Sequence, residues 1–197
     1  MRTLSVENFS CVLNAQVELK RLTVIIGPQA SGKSVLSKLC YFLFDCAHHQ
    51  DNCIQRRHSF DKFTLGLKAK FIEWFPIEAW GSKRFRIELN AGDYNITLTR
   101  KTYGGKVSDD FRLKFSEAFK LQYENLLQSV EKSSKDSRDE IAFGLDYRVF
   151  DQSRKSLAVL MGKERVMHQA FVPAGRSFFT SIGKAIAAFE QGRVLDP

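Results

Sequence analysis

No apolar run in this chain of 197 residues is long enough to span a bilayer, and no N-terminal apolar stretch flanked by basic residues marks a signal peptide. The expectation is a soluble, cytoplasmic protein with no membrane partner. Cysteine is sparse, with four thiols at Cys11, Cys40, Cys46 and Cys53. Three of them lie with His48 and His49 in residues 40–53, but no C-x₂-C pair of the kind that builds a structural zinc site is present. Reduced thiols are the expectation and a metal the lesser alternative. Negative charge is in deficit, 22 Asp and Glu against 30 Lys and Arg, for a net charge of +8. Much of that excess falls in residues 54–106, where eleven basic residues meet five acidic ones. A solvated basic face and a nucleic-acid partner are both open readings of it. Apolar residues are not lacking: 44% of the chain, including 17 phenylalanines whose simplest use is packing, supports the core of one ordinary domain.

The stretch that organises the rest is Gly27, Pro28, Gln29, Ala30, Ser31, Gly32, Lys33 and Ser34, followed by Val35. It reads G-x-x-x-x-G-K-S, the phosphate-binding P-loop (Walker A) pattern. Glycine lets backbone N–H groups approach phosphate oxygens where a Cβ would collide. A helix beginning near Gly32 adds its positive end. Lys33 supplies a point charge to the β- and γ-phosphates of ATP, and the Ser34 hydroxyl a ligand to Mg²⁺. The alternative, an incidental glycine turn, is disfavoured by context. Residues 22–26 (L-T-V-I-I) read as a short buried strand before the loop, and residues 35–44 carry apolar positions at helical spacing after it. Strand, loop and helix are the order the motif needs.

Upstream, residues 2–9 alternate apolar and polar, and residues 14–20 alternate again as a hairpin partner. The run L-S-V-E-N-F-S at residues 4–10, a second strand, and then L-T-V-I-I-G-P-Q-A-S-G-K-S at residues 22–34 resemble the opening of ABC-type ATPases of the SMC, RecF and OLD (overcoming-lysogenization-defect) group. Gln29 stands where those proteins usually have asparagine. The resemblance covers residues 2–45 and weakens afterwards. It implies an α/β fold of the P-loop NTPase type: an ABC-ATPase N-terminal lobe with a flanking antiparallel sheet and a few packed helices. It also implies Mg-ATP as ligand, a homodimer or a C-terminal ATPase lobe as partner, and a place in a nucleic-acid-related defence or repair machine; a separate effector protein is the partner expected of a nucleotide-gated switch.

Downstream, residues 51–58 suggest a loop, and residues 60–80 interleave aromatics with lysines, a pattern open to core packing or to stacking on a single nucleic-acid strand. Residues 83–89 and 94–100 form a predicted hairpin about the turn at residues 91–93, with another strand at 111–115 after Gly104 and Gly105. Residues 116–135 show one apolar helical stripe. Residues 131–140 are polar and read as a mobile connection. Residues 156–161 and 166–172 read as strands and residues 178–190 as a helix capped by Ser177. The P-A-G-R-S segment at residues 173–177 resembles one in OLD-like ATPases, and leaves Arg176 near nucleotide phosphate, near a partner subunit, or tying a loop to a helix end. The whole is expected to be a single partial ATP-binding domain: strand pair and P-loop in residues 1–49, sheet in 50–115, helical insertion in 116–155, core strands and the start of a helical lobe in 156–197.

ATP hydrolysis in the resembled group also uses an apolar strand ending in Asp-Glu and an LSGGQ-like signature. Neither Asp109-Asp110 nor Asp139-Glu140 follows such a strand, and residues 141–144 do not resemble the signature. Enzyme activity is therefore left open. A non-hydrolysing, nucleotide-gated module or an inactive remnant stands beside the ATPase reading.

Overall fold

The computed structural model describes residues 2–136 and 142–162, with the side chains of 133–136 and 142–149 outside the description. β1 (Arg2–Phe9) and β2 (Val12–Glu18) form an antiparallel hairpin in which Leu4, Val6 and Phe9 are buried while Glu7 faces solvent. The turn is tight enough that Asn8 (φ 52°) and Ser10 (φ 55°) adopt left-handed backbone, which asparagine tolerates better than most residues. Three helices follow, α1 (Lys33–His48), α2 (Gln50–Gln55) and α3 (Phe60–Trp74), and then a 3₁₀ turn (Ile77–Ala79). The chain next lays down β3 (Arg86–Ala91), β4 (Tyr94–Tyr103) and β5 (Lys106–Phe115), and ends its described part with α4 (Glu117–Asp136) and α5 (Ala142–Leu160).

The five strands make one sheet in the order β2-β1-β3-β4-β5, and every neighbouring pair is antiparallel. Alternation sorts the side chains. Ile87, Leu89, Ile96 and Leu98 are fully buried, while their neighbours Arg86, Thr97 and Thr99 lie on the opposite face. The buried face carries two connected aromatic groups. Phe71 of α3 sits among Phe9, Phe42, Phe75, Trp80, Phe85 and Phe111, with centroids from 4.9 to 6.4 Å away. Phe119 and Tyr123 of α4 meet Phe60, Phe63 and Phe115. Buried aromatic polar tips are satisfied: Trp80 Nε1 donates to Phe75 O (2.7 Å), Tyr94 Oη to Leu43 O (2.8 Å) and Tyr123 Oη to His58 O (2.8 Å). The aromatics of residues 60–80 are therefore largely core, and the stacking role is not available to Phe63, Phe71, Phe75 or Trp80.

Several sequence expectations change. Residues 51–58 are mainly helix α2, and residues 60–74 are helix α3, started by Ser59, whose hydroxyl accepts from Lys62 N (3.3 Å). Residues 156–161 are not a strand but the last turns of α5, which ends at Leu160, and the turn that follows it. Ser153, Leu157 and Met161 are buried at four-residue spacing while Val159 is 78% exposed, so the burial has helical period. Residues 22–26 form no strand, because a strand is defined by a paired neighbour and none of the five described strands runs beside them. The polar reading from residue 131 gives way to helix through Asp136, and residues 137–141 lie outside the described residues. The expected strand at 166–172, the helix at 178–190 and Arg176 lie outside the described residues as well.

An ion-pair triad links α3 to the sheet. Asp110 of β5 accepts from Lys68 (2.7 Å) and pairs with Lys101 (2.5 Å). These contacts, Lys101 first and then Lys68, hold its carboxyl at about 2, below the ordinary 3.8. Because the folded value is depressed, the contribution to stability is complete above the ordinary carboxylate pKa and is lost as pH falls from about 4 through 2. Asp110→Asn is thus expected to lower the urea midpoint at pH 6 and to converge on wild type as pH falls through about 2. A gap that stays constant with pH would show that the charge is not responsible.

Candidate functional site

The glycine-rich loop hangs between the hairpin and α1. Residues 27–32 turn without regular structure, with Ala30 (φ 61°) and Gly32 (φ 87°) left-handed. At Gly32 glycine is required on two grounds. The backbone angle favours it, and a Cβ there would lie 2.6 Å from Val12 Cγ2 and 3.4 Å from Cys11 Sγ. The loop is pressed against the start of β2 at that point. Gly27 is held less tightly, a Cβ meeting only Ser31 Oγ at 3.1 Å.

Helix α1 starts at Lys33 with Gly32 as its N-cap. No side chain caps it and no acidic residue lies in its first turn. Its first regular bond is Leu36 N to Gly32 O (2.9 Å), so the N–H groups of Lys33, Ser34 and Val35 have no intrahelical acceptor. These groups and the positive end of the helix face the loop unopposed by an anion from α1 itself. Lys33 curls back over the loop, its ammonium donating to Gly27 O (2.7 Å), to Pro28 O and to Ser31 Oγ (3.4 Å). Ser34 is exposed and its hydroxyl has no partner among the described residues. Val35 is half-buried against the core, and with Leu36 and Leu39 it anchors the helix start. Pro28, Gln29, Ala30 and Ser31 are exposed. The nine sequence-predicted residues are thus contiguous around one helix N-terminus.

The segment entering the loop is uncovered. Leu22, Val24 and Ile26 are 81%, 71% and 87% exposed, and only Ile25 packs on the core. Leu13 on the neighbouring β2 is exposed too. Apolar residues at alternate positions are the sequence pattern of a strand with one face prepared for burial.

The other sequence candidates separate. Cys46 and Cys53 are buried, and burial raises the thiols of Cys40 (to about 11), Cys46 and Cys53, keeping them protonated. Among the described residues no group of three or more His, Cys, Asp or Glu is placed to hold a metal ion. The basic region does not form one face. Lys68 and Lys70 of α3 pair with Asp110 and Asp45 (2.7 Å each). Arg100 is 5% exposed: its guanidinium donates to Gly81 O (2.5 Å), Ser108 O (2.7 Å) and Asp109 Oδ1 (3.1 Å) and lies 5.5 Å from the centre of the Trp80 ring. It ties β4 and β5 to the segment before β3, a structural role the sequence does not announce. Arg84, Arg86 and Lys101 line an open groove with Arg112 and Lys114. The last two fall outside residues 54–106 and were missed, although their alternation along β5 was the available signal.

The fold and loop together define a mixed α/β domain, a five-stranded antiparallel sheet with helices on its buried face and a glycine loop at the start of α1. No protein-family model, no curated protein and no solved structure matches the chain.

Proposed function

We propose that the chain binds the phosphates of ATP at residues 27–35, as an ATPase-type module of the SMC and OLD-like kind. The observation that carries this reading is the state of the loop. A lysine ammonium is held by loop oxygens beside three helix N–H groups that have no acceptor among the described residues, and α1 offers no acidic residue of its own to that end. A phosphate entering there exchanges neutral carbonyl acceptors of Lys33 for charged oxygens, which make stronger bonds. Ser34 fits the metal: its hydroxyl is exposed at the second helical position with no competing partner among the described residues. Mg²⁺ bound with the nucleotide neutralises charge on the β- and γ-phosphates.

The exposed apolar edge at Leu22, Val24 and Ile26 supports an incomplete site, one that gains flanking strands from a further ATPase lobe or a second copy of the chain. A separate effector would respond to that closure. A second reading, a nucleotide-gated module that does not hydrolyse, is favoured by one observation. Asp109 and Asp110 lie on an antiparallel strand paired with Arg100, Lys68 and Lys101, so neither is placed to activate water.

Calorimetric titration tests the phosphate reading. ATP is expected to bind at least about tenfold more tightly than AMP, since the charge-assisted bonds lie on the terminal phosphates. Mg²⁺ should strengthen ATP binding in wild type and fail to do so in Ser34→Ala. Equal affinities for AMP and ATP would contradict the proposal.

A further inference from the structure

The outer face of the β3–β4–β5 sheet is concave, an open groove of about 720 Å³. Five cations present their charge to it, Arg84, Arg86, Lys101, Arg112 and Lys114, and no carboxylate lines it; Arg100 borders it too, but its guanidinium is buried over Trp80. Nearby acids account for two of the five: Glu88 pairs with Arg86 (2.6 Å) and Asp110 with Lys101 (2.5 Å). Arg84, Arg112 and Lys114 are exposed and have no ion-pair or hydrogen-bond partner among the described residues. From this geometry we infer that the groove is a binding surface for a nucleic-acid backbone, separate from the glycine loop.

The register shows why the occupant is extended. Arg86 and Arg112 lie directly opposite Thr99, one on each side of β4, and Lys114 lies opposite Thr97. Strand spacing puts Arg86 and Arg112 about 10 Å apart across the sheet, and the pleat puts Arg112 and Lys114 about 7 Å apart along β5. Cations rooted at those intervals form a row along and across the sheet. They match a string of phosphates, each met by one or two side chains. Between them the floor is polar and uncharged, Thr97 and Thr99 offering hydroxyls of the kind that contact phosphate and sugar oxygens without reading sequence. Tyr103, 64% exposed at the groove end, presents a ring on which an unpaired base can stack. An acidic protein would also meet the charge, but a lining without an apolar anchor other than Tyr103 and Phe115 favours a backbone over a protein surface.

The experiment is fluorescence anisotropy on the full chain with labelled oligonucleotides, single-stranded and duplex, between 50 and 200 mM salt. The variant is Arg84→Gln/Arg112→Gln/Lys114→Gln, whose three positions are exposed and leave the buried sheet face untouched; equal thermal midpoints would confirm its fold. Wild type is expected to bind one of the two forms with log affinity falling linearly in log salt. The variant should lose at least about tenfold at 50 mM salt, and its salt slope should shrink by about 2–3 units, the counterion release of three phosphate contacts. Lys33→Ala should bind oligonucleotide as wild type does, which keeps this result distinct from any failure of the ATP reading. The inference is overturned by no oligonucleotide binding at 50 mM salt, by a variant with unchanged affinity and slope, or by binding to phosphatidylserine vesicles or an acidic peptide in place of oligonucleotide.

Discussion

Phe71→Ala is expected to remove about 3–5 kcal/mol of stability, the loss typical of a large aromatic deleted from a core that cannot collapse into the gap. Phe71 is fully buried in α3 and touches rings from four parts of the chain. Phe9 belongs to β1, Phe42 to α1, Phe85 to the approach to β3 and Phe111 to β5. Phe111 and Phe75 lie nearest, with centroids at 4.9 Å. The surrounding rings are themselves fixed: Trp80 by its bond to Phe75 O and by Arg100 over its face, Phe9 by the sheet register. Few of them can move to fill the space. Since whole domains are stable by only about 5–15 kcal/mol, the variant should unfold at much lower urea or not fold at physiological temperature. Phe71→Leu keeps most of the volume and should lose markedly less. A drop below about 1 kcal/mol for the alanine variant, by equilibrium urea unfolding, would mean that α3 is not seated as described.

Lys33→Ala carries the largest expected effect on binding. The ammonium makes three loop contacts that a phosphate would replace with charged partners, and hydrogen bonds to charged groups contribute about 1.5–3 kcal/mol each. A loss of at least about tenfold in ATP affinity follows from one such bond, and more if both terminal phosphates are met. The side chain lies over a loop outside the aromatic core, so the thermal midpoint should move little. Unchanged affinity would place the nucleotide elsewhere, with the basic sheet groove the obvious competitor for a polyphosphate.

The two hairpins and α4 were legible because each shows one buried face at a clean period: Leu4 and Val6, Ile87 and Leu89, Ile96 and Leu98, Phe119, Tyr123 and Leu126. Two segments misled for opposite reasons. The run at 156–161 is apolar and short enough for a strand. Its neighbour Ser153, bonded to Gln50 and Asp51 of α2, shows that the segment belongs to a longer helix, a fact set by tertiary contacts. Residues 22–26 have strand composition without a strand beside them, since pairing depends on a neighbour that local sequence does not specify. Within the candidate site, the glycines, Lys33 and Ser34 could be read directly because the motif is contiguous. The groove could not, because Arg84, Arg112 and Lys114 meet only when β3, β4 and β5 are in register. Arg100 was illegible for a further reason: in sequence a buried arginine satisfied by carbonyls looks like any surface arginine.

The most direct measurement is amide hydrogen exchange, residue by residue, with and without Mg-ATP. Protection of the N–H groups of residues 29–35, absent with AMP and absent in Lys33→Ala, is the result expected if phosphate sits in the loop at the start of α1. Saturable ATP binding that leaves those amides unchanged, or that protects β4 and β5 in their place, would contradict it.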